Sequence, residues 1–256
     1  MNVSKIFGIV IAVALGIASC KKGTVYIPVE KKPVAYKRIT KSVETYSDGS
    51  KETYTLTYDA KGRPATYTSD TKKDVFNFQS PTMLLVSEYD LPGNLLSRTY
   101  ECTLNELGAI TQMIFKNTEG AITYTYTYTY NADGYMTGVK GSSGTSFFEE
   151  APEIKDGNYI ASKTTFSGGT VYNKQFFFSN VPNLQPGGFY HYWPLATLFG
   201  RPSKNLLVEA KTFQTNGNLY WHVQNHYTMS ADGSVAKYTT DIVTSRETSV
   251  VELEYE

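Results

Sequence analysis

Few residues in this 256-residue chain have types and spacings that could do chemistry: three His, two Cys, the Ser-x-x-Lys run at 69–72, one acidic pair and a large stock of Tyr, 21 in all. His222 and His226 fall in an alternating segment with Tyr220, Gln224 and Thr228 on their side. A strand would hold the two rings roughly 13 Å apart at about 3.3 Å per residue, too far to share one metal ion. They read as part of a polar sheet face or a barrel lumen, and His191, between Tyr190 and Tyr192, reads as structural. Ser69-Asp70-Thr71-Lys72 matches S-x-x-K but sits at a strand end instead of opening a helix, so it is discarded as a nucleophile. Glu149-Glu150 falls in a segment read as a solvated loop, whereas glycosidic acid–base pairs must be held across a substrate. There is no G-x-S-x-G, H-E-x-x-H, phosphate loop or dinucleotide fingerprint. The expectation is a protein that is not an enzyme, with no catalytic residues, no metal and no cofactor.

The aromatic residues point to binding instead. Tyr124, Tyr126, Tyr128 and Tyr130 alternate with Thr from Ile122 to Tyr130, so one face of a strand carries only Tyr. That ladder reads as core or barrel lining, or as a stacking surface. Tyr190, Tyr192 and Trp193, with Leu195, Leu198 and Phe199, form a second cluster. It reads either as a plug packed into the open end of a curled sheet or as an aromatic rim for a ligand. These seven aromatic residues are the candidate ligand contacts, for a small molecule, a glycan or a protein.

The elements that must position them are strands. Tyr and Thr pack well on pleated surfaces. The same period-two alternation marks Tyr54 to Tyr58 and Leu219 to Met229. Between the alternating runs a punctuation recurs, a short polar residue followed three positions later by Gly: Asp59 to Gly62, Asp90 to Gly93, Asn105 to Gly108, Asn117 to Gly120, Asn131 to Gly134 and Ser230 to Gly233. Such spacing suits hairpin turns, in which the side chain bonds the backbone ahead and Gly takes the left-handed conformation. Asp48-Gly49, Asn216-Gly217 and Gly168-Gly169 are tighter turns. Short hairpins join sequential neighbours. The fold class is therefore all-β, an antiparallel meander of about 12–15 strands curled into an open or closed barrel-like sheet. One domain spans 36–256, with long loops expected near 141–157 and 179–205 and one short helix near 194–199, opened by Pro194 and ended by Gly200.

The N-terminus reads as an address. Residues 1–19 combine Lys5 with an apolar run from Ile6 to Ile17, and Ile17-Ala18-Ser19-Cys20 looks like a bacterial lipoprotein signal whose Cys is acylated. Cys20 would then anchor the chain to a membrane through lipid, leaving Cys102 as a lone, buried thiol and no intrachain disulfide. Residues 20–35 form a polar tether. Balanced charge, 24 basic against 24 acidic residues, removes the electrostatic footprint of a general nucleic-acid binder.

Taken with the Tyr- and Thr-rich hairpins and the segment Tyr192 to Leu206, these features resemble a family of Bacteroidetes lipoproteins of unknown function with a porin-like, open β-barrel fold. The turn copies at Tyr58, Tyr89 and Tyr130 bear a weaker similarity to the tyrosine–aspartate repeats of Rhs-type shells. The first resemblance implies a fold and brings no activity with it. Surface-exposed lipoproteins of that type carry acidic residues after the Cys, whereas Lys21-Lys22-Gly23 follows here. This places the chain on the periplasm-facing side of the outer membrane. The expected function is a lipid-anchored envelope protein that binds a ligand or partner in the concave face of its sheet. The alternative is a structural or accessory lipoprotein without a pocket.

Overall fold

The structure, a computed structural model, describes residues 37–184 and 198–256. The signal, Cys20, the tether, Tyr190, His191, Tyr192, Trp193 and Pro194 lie outside the described residues. Sixteen strands follow in chain order: β1 Ile39–Tyr46, β2 Lys51–Tyr58, β3 Pro64–Thr68, β4 Lys72–Ser80, β5 Met83–Asp90, β6 Leu95–Leu104, β7 Ile110–Asn117 and β8 Ile122–Tyr130. The second half comprises β9 Met136–Ser143, β10 Ser146–Lys155, β11 Asn158–Phe166, β12 Val171–Pro182, β13 Asn205–Gln214, β14 Leu219–Met229, β15 Val235–Ile242 and β16 Glu247–Tyr255. Each pairs antiparallel with its successor, and β16 returns to β1, so the sheet closes into a barrel. The antiparallel meander is as the turns predict, but it has 16 strands against the 12–15 expected, and its seam is closed where the resemblance implied an open one.

The strands missed by sequence are those assigned to a long loop at 141–157. β9 runs to Ser143 and β10 begins at Ser146, joined by a tight turn in which Gly144 has φ 55°. Gly141 is needed inside β9 because Phe148 of β10, its cross-strand partner, lays its ring where a Cβ would stand. A glycine that reads as a loop marker is thus a strand residue under an aromatic ring. The later interruption begins later than expected, since β12 runs to Pro182; β13 starts at Asn205, and residues 185–197 between them lie outside the described residues. Of the helix expected at 194–199 only Leu198 and Phe199 are described, and a single residue of 3₁₀ turn, Leu198, is the only helical structure among the described residues.

The recurring turns behave as their residues dictate. Asn105, Asn117 and Asn131 each accept the backbone N–H four residues on through Oδ1, and their carbonyls accept from Gly108, Gly120 and Gly134. Asp59 does the same and also pairs with Arg63. The copy at Asp90 differs: Gly93 has no positive φ, and Asn94 takes that conformation instead, φ 50°.

Because neighbours alternate direction, the turns fall at two poles. The chain enters β1 at one, here the floor, which also carries turns 59–63, 105–109, 131–135 and 230–234, the end of β12 and the start of β13. The opposite pole is the mouth. Inward side chains near the floor pack as core: Leu84, Val86, Cys102, Ile110, Met136 and Val139 are all buried. Phe199 enters this core with its ring 5.0 Å from that of Tyr128. Its segment is fixed by the Arg201 N–H donating to the Gly134 carbonyl (2.9 Å) and the Tyr159 hydroxyl donating to the Arg201 carbonyl (3.0 Å). The outer face is polar: Lys41–Glu254 (2.7 Å), Lys140–Glu149 (2.8 Å) and Lys211–Glu209 (3.0 Å) are ion pairs on it, with Thr57 bonded to Thr66 and Thr129 to Thr137.

Candidate functional site

Above the floor the lumen opens into a cavity of about 1100 Å³ that reaches the mouth. Sixteen strands enclose more space than inward side chains fill, so a barrel of this size keeps a lumen unless something plugs it. Here the core and Phe199 fill the floor half, and the mouth half stays open.

The cavity has two kinds of wall. On β7 to β10 it is mostly aromatic and apolar, with Met113, Phe115, Tyr124, Tyr126, Tyr128, Val139 and Phe148, and turns polar towards the mouth at Lys116, Asn117 and Thr123. The Tyr ladder stacks, with centroids 6.2 Å apart for Tyr124 and Tyr126 and 6.4 Å for Tyr126 and Tyr128, and Phe115 meets Tyr126 at 5.3 Å. Exposure grades along it, from Tyr128 buried at the floor to Tyr124, 48% exposed at the mouth. Tyr130 leaves the cavity and donates its hydroxyl to the Ile110 carbonyl at 2.6 Å. Of the predicted contacts, then, Tyr124, Tyr126 and Tyr128 line the lumen and Tyr130 braces the floor, while Tyr190, Tyr192 and Trp193 are outside the described residues.

On β1 to β6 the wall is charged. Cross-strand register places Asp74 of β4 opposite Glu88 of β5, and Glu88 opposite Arg98 of β6. Glu88 is buried, yet its carboxyl is held below its ordinary range: burial opposes ionisation, and three donors outweigh it. Lys72 reaches Oε1 at 2.7 Å, Arg98 reaches Oε2 at 2.8 Å, and Tyr100 donates its hydroxyl to Oε2. Asp74 has the opposite fate. Burial, then the neighbouring Glu88 charge, pushes its carboxyl up to about 7, and its Oδ1 is buried with no hydrogen-bond partner. A register shift after Glu88 ends the regular ladder beside this pair. Nearer the rim, Glu44 and Glu52 face each other across β1 and β2, and the Tyr46 hydroxyl lies 3.3 and 3.2 Å from their oxygens. Tyr54 stacks on Tyr67 at 5.5 Å, interplanar angle 11°.

The charged wall was not anticipated, although a signal existed. Asp74 is in phase with inward Phe76 and Phe78, Glu88 with Val86 and Leu84, and Arg98 with Tyr100 and Cys102. A charge occupying an inward phase is an expensive placement that function or pairing must justify.

The other expectations resolve plainly. Glu149 and Glu150 are on β10, not a loop. Alternation turns Glu149 outward to Lys140 and buries Glu150 inward, where Ser162 (2.6 Å) and Lys174 (2.8 Å) hold it. His222 and His226 lie on the outer face, pairing with Glu209 (2.8 Å) and Asp241 (3.4 Å). Cys102 is a buried free thiol whose ionisation burial pushes up to about 12.

No family profile matches this sequence, and no curated protein matches it. Among solved structures the chain is similar to a porin-like protein from Bacteroides uniformis ATCC 8492, at 16% identity and a TM-score of 0.62, covering 86% of this chain and 99% of that one. A porin-like protein from Bacteroides vulgatus ATCC 8482 matches at 12% identity and a TM-score of 0.61, with the same coverage. At such identities the likeness is one of fold: the chain has the porin-like, closed β-barrel architecture.

Proposed function

We propose that this protein is a lipid-anchored envelope protein whose barrel stands in water beside the membrane and binds a ligand in its lumen. The open lumen of about 1100 Å³, walled by aromatic rings on one side and charges on the other, carries the reading. Ligand sites are concave, largely apolar and furnished with a few fixed polar groups, and usually measure roughly 300–1,000 Å³. A lumen filled by side chains would instead favour an accessory role without a pocket.

The outer face supports the placement. A membrane-spanning barrel needs a continuous outward apolar band, whereas here ion pairs and a Thr pair interrupt that side on β1, β2, β3, β9, β10, β13 and β16. Anchoring through acylated Cys20 would hold such a barrel at a membrane without insertion. Envelope location rests on the lipoprotein-type signal that ends at Cys20 and is in keeping with the porin-like fold shared with the Bacteroides proteins; the periplasm-facing side rests on Lys21-Lys22 after the Cys.

A second reading, acid–base catalysis, has one observation in its favour: Asp74 and Glu88 are neighbouring carboxyl groups pushed in opposite directions, a pattern found in catalytic pairs. Both oxygens of Glu88 are engaged by Lys72, Arg98 and Tyr100, which suits an anchor better than a base.

Two experiments test the proposal. Replacing Cys20 by Ser should abolish palmitate labelling and release the protein from membranes; labelling that persists sinks the anchor. The chain from residue 21 onward should be monodisperse without detergent, and a thermal-shift screen should find ligands whose effect is lost when Ser97, on the cavity wall, becomes Trp. A screen in which Ser97→Trp responds like the parent would remove the lumen from the argument.

A further inference from the structure

The mouth is uneven around its circumference. From the β5–β6 turn to the β13–β14 turn, the connections 91–94, 118–121, 144–145, 167–170 and 215–218 carry a single charged residue, Glu119. Apolar side chains stand exposed along this arc: Leu95 and Ile122 (69% and 62%), then Phe147, Leu219 and Tyr220. The remaining mouth turns carry Asp48, Asp70 and Arg246. The arc continues inward without a break. Tyr220, Tyr172, Phe166, Phe148 and Tyr126 are linked ring to ring at 4.9–6.0 Å, and Tyr126 leads by way of Tyr128 to Phe199 on the cavity floor.

A hydrophilic solute has no use for such an entrance. Exposed apolar residues grouped around an opening mark a binding surface, and here that surface runs into an aromatic wall that would solvate a hydrocarbon chain. The charged wall narrows the polar end. Lys72 and Arg98 are both drawn to Glu88, and Lys116 to Glu101 at 2.6 Å. Glu44, Glu52 and Asp74 have no ion-pair partner among the described residues, and Asp74 has a buried oxygen without a donor. The lumen therefore sets four carboxylates, Glu44, Glu52, Asp74 and Glu88, against three cations, Lys72, Arg98 and Lys116, each of which already has an acidic partner.

We propose that the lumen takes a single-chain amphiphile with an ammonium head, its chain entering over the apolar arc to lie on the β7 to β10 wall and its head resting among Asp74, Glu44 and Glu52. This rests on the lumen-binding reading and names its ligand class. Aromatic faces beside the carboxylates, Tyr54 and Tyr67, suit a quaternary ammonium as well.

The test is isothermal titration of the chain from residue 21 onward at pH 8, with probes kept below their micelle-forming concentrations: decyltrimethylammonium, decanoate, decyl glucoside, tetramethylammonium and maltose. Decyltrimethylammonium should bind at least tenfold more tightly than decanoate, decyl glucoside or the head alone. Asp74→Asn combined with Glu44→Gln should erase most of the preference over decanoate, Ile122→Ser with Leu219→Ser should weaken every decyl probe, and Ser97→Trp should block them. Circular dichroism confirms that each variant is folded. Equal binding of decanoate or decyl glucoside overturns the ammonium head, and decyl binding untouched by Ser97→Trp overturns the site. If maltose alone binds and Ser97→Trp blocks it, the amphiphile falls while lumen binding stands. If no probe binds, the amphiphile falls, and the thermal-shift screen then decides lumen binding by itself.

Discussion

Replacing Asp74 by Asn should change the pH dependence of stability in a way that follows from one carboxyl group. In the native protein burial, then the Glu88 charge, raises Asp74 to about 7, against the smaller pull of Arg98 and Lys72; in the unfolded chain it returns to about 3.9. Between those values the native state holds a proton that the unfolded state has released. Stability from this group is therefore present at acid pH, falls as pH rises from about 4 to 7, and is gone above about 8. A three-unit shift corresponds to about 4 kcal/mol at most. The interval from pH 5 to pH 8 samples roughly two thirds of that, and water entering by the mouth screens the rest down to about 1–2 kcal/mol. Urea denaturation of both proteins at pH 5 and pH 8 measures it. Asn removes the ionisation but keeps the shape, so other titrations cancel in the comparison, and the variant should gain about 1–2 kcal/mol on the parent between the two pH values. An equal pH response in both proteins, or a parent that gains on the variant as pH rises, would refute the assignment of Asp74 as a strained, unpaired acid.

Three other perturbations probe the frame around the site. Glu88→Gln replaces a buried carboxylate by a neutral amide facing the half-exposed Lys72 and Arg98, the former still paired with Asp90, and should cost about 1–3 kcal/mol in denaturant titrations at pH 7, while a cost within the range for surface pairs would show that the cluster is solvated. At Gly200, where φ is 80° and an added Cβ would stand 2.5 Å from the Gly134 carbonyl oxygen, Ala should destabilise by about 2–4 kcal/mol. A neutral outcome there would mean that the 198–204 segment is not held as described. Cys102, buried and pushed up to about 12, should resist a thiol reagent at pH 8 until denaturant unfolds the barrel; rapid labelling of the native protein would contradict its placement.

Period two and turn chemistry made the architecture legible. The run of alternating Thr and Tyr in β8 and the Asn-x-x-Gly turns are local signals, and the structure uses them locally. What sequence hid were features decided across strands. Gly141 and Glu150 looked like loop residues because their partners, Phe148 for the first and Ser162 and Lys174 for the second, are supplied by pairing. The Tyr ladder could be read as a lining residue by residue. The charged wall could not, because Asp74, Glu88 and Arg98 come from three strands and meet only through register. Closure is likewise invisible in any window of sequence, since it depends on the summed twist and stagger of all the strands.

That closure concentrates the folding problem at one place. Fifteen of the strand pairings join sequence neighbours and form early and cheaply, because little chain must be looped to make them; the β1–β16 pairing alone spans the whole domain. The register there shifts between Ile39 and Lys41, and the seam is fastened by the Arg38–Glu256 pair at 2.8 Å and the Glu256 N–H on the Arg38 carbonyl. A nascent chain thus presents a curved sheet with two bare edges until its last nine-residue strand arrives. Each edge is a template for the complementary edge of another copy. A chain shortened by β16 should accordingly form strand-exchanged oligomers, whereas in the barrel with β16 present a short linker from residue 256 to residue 37 should make the slowest contact local.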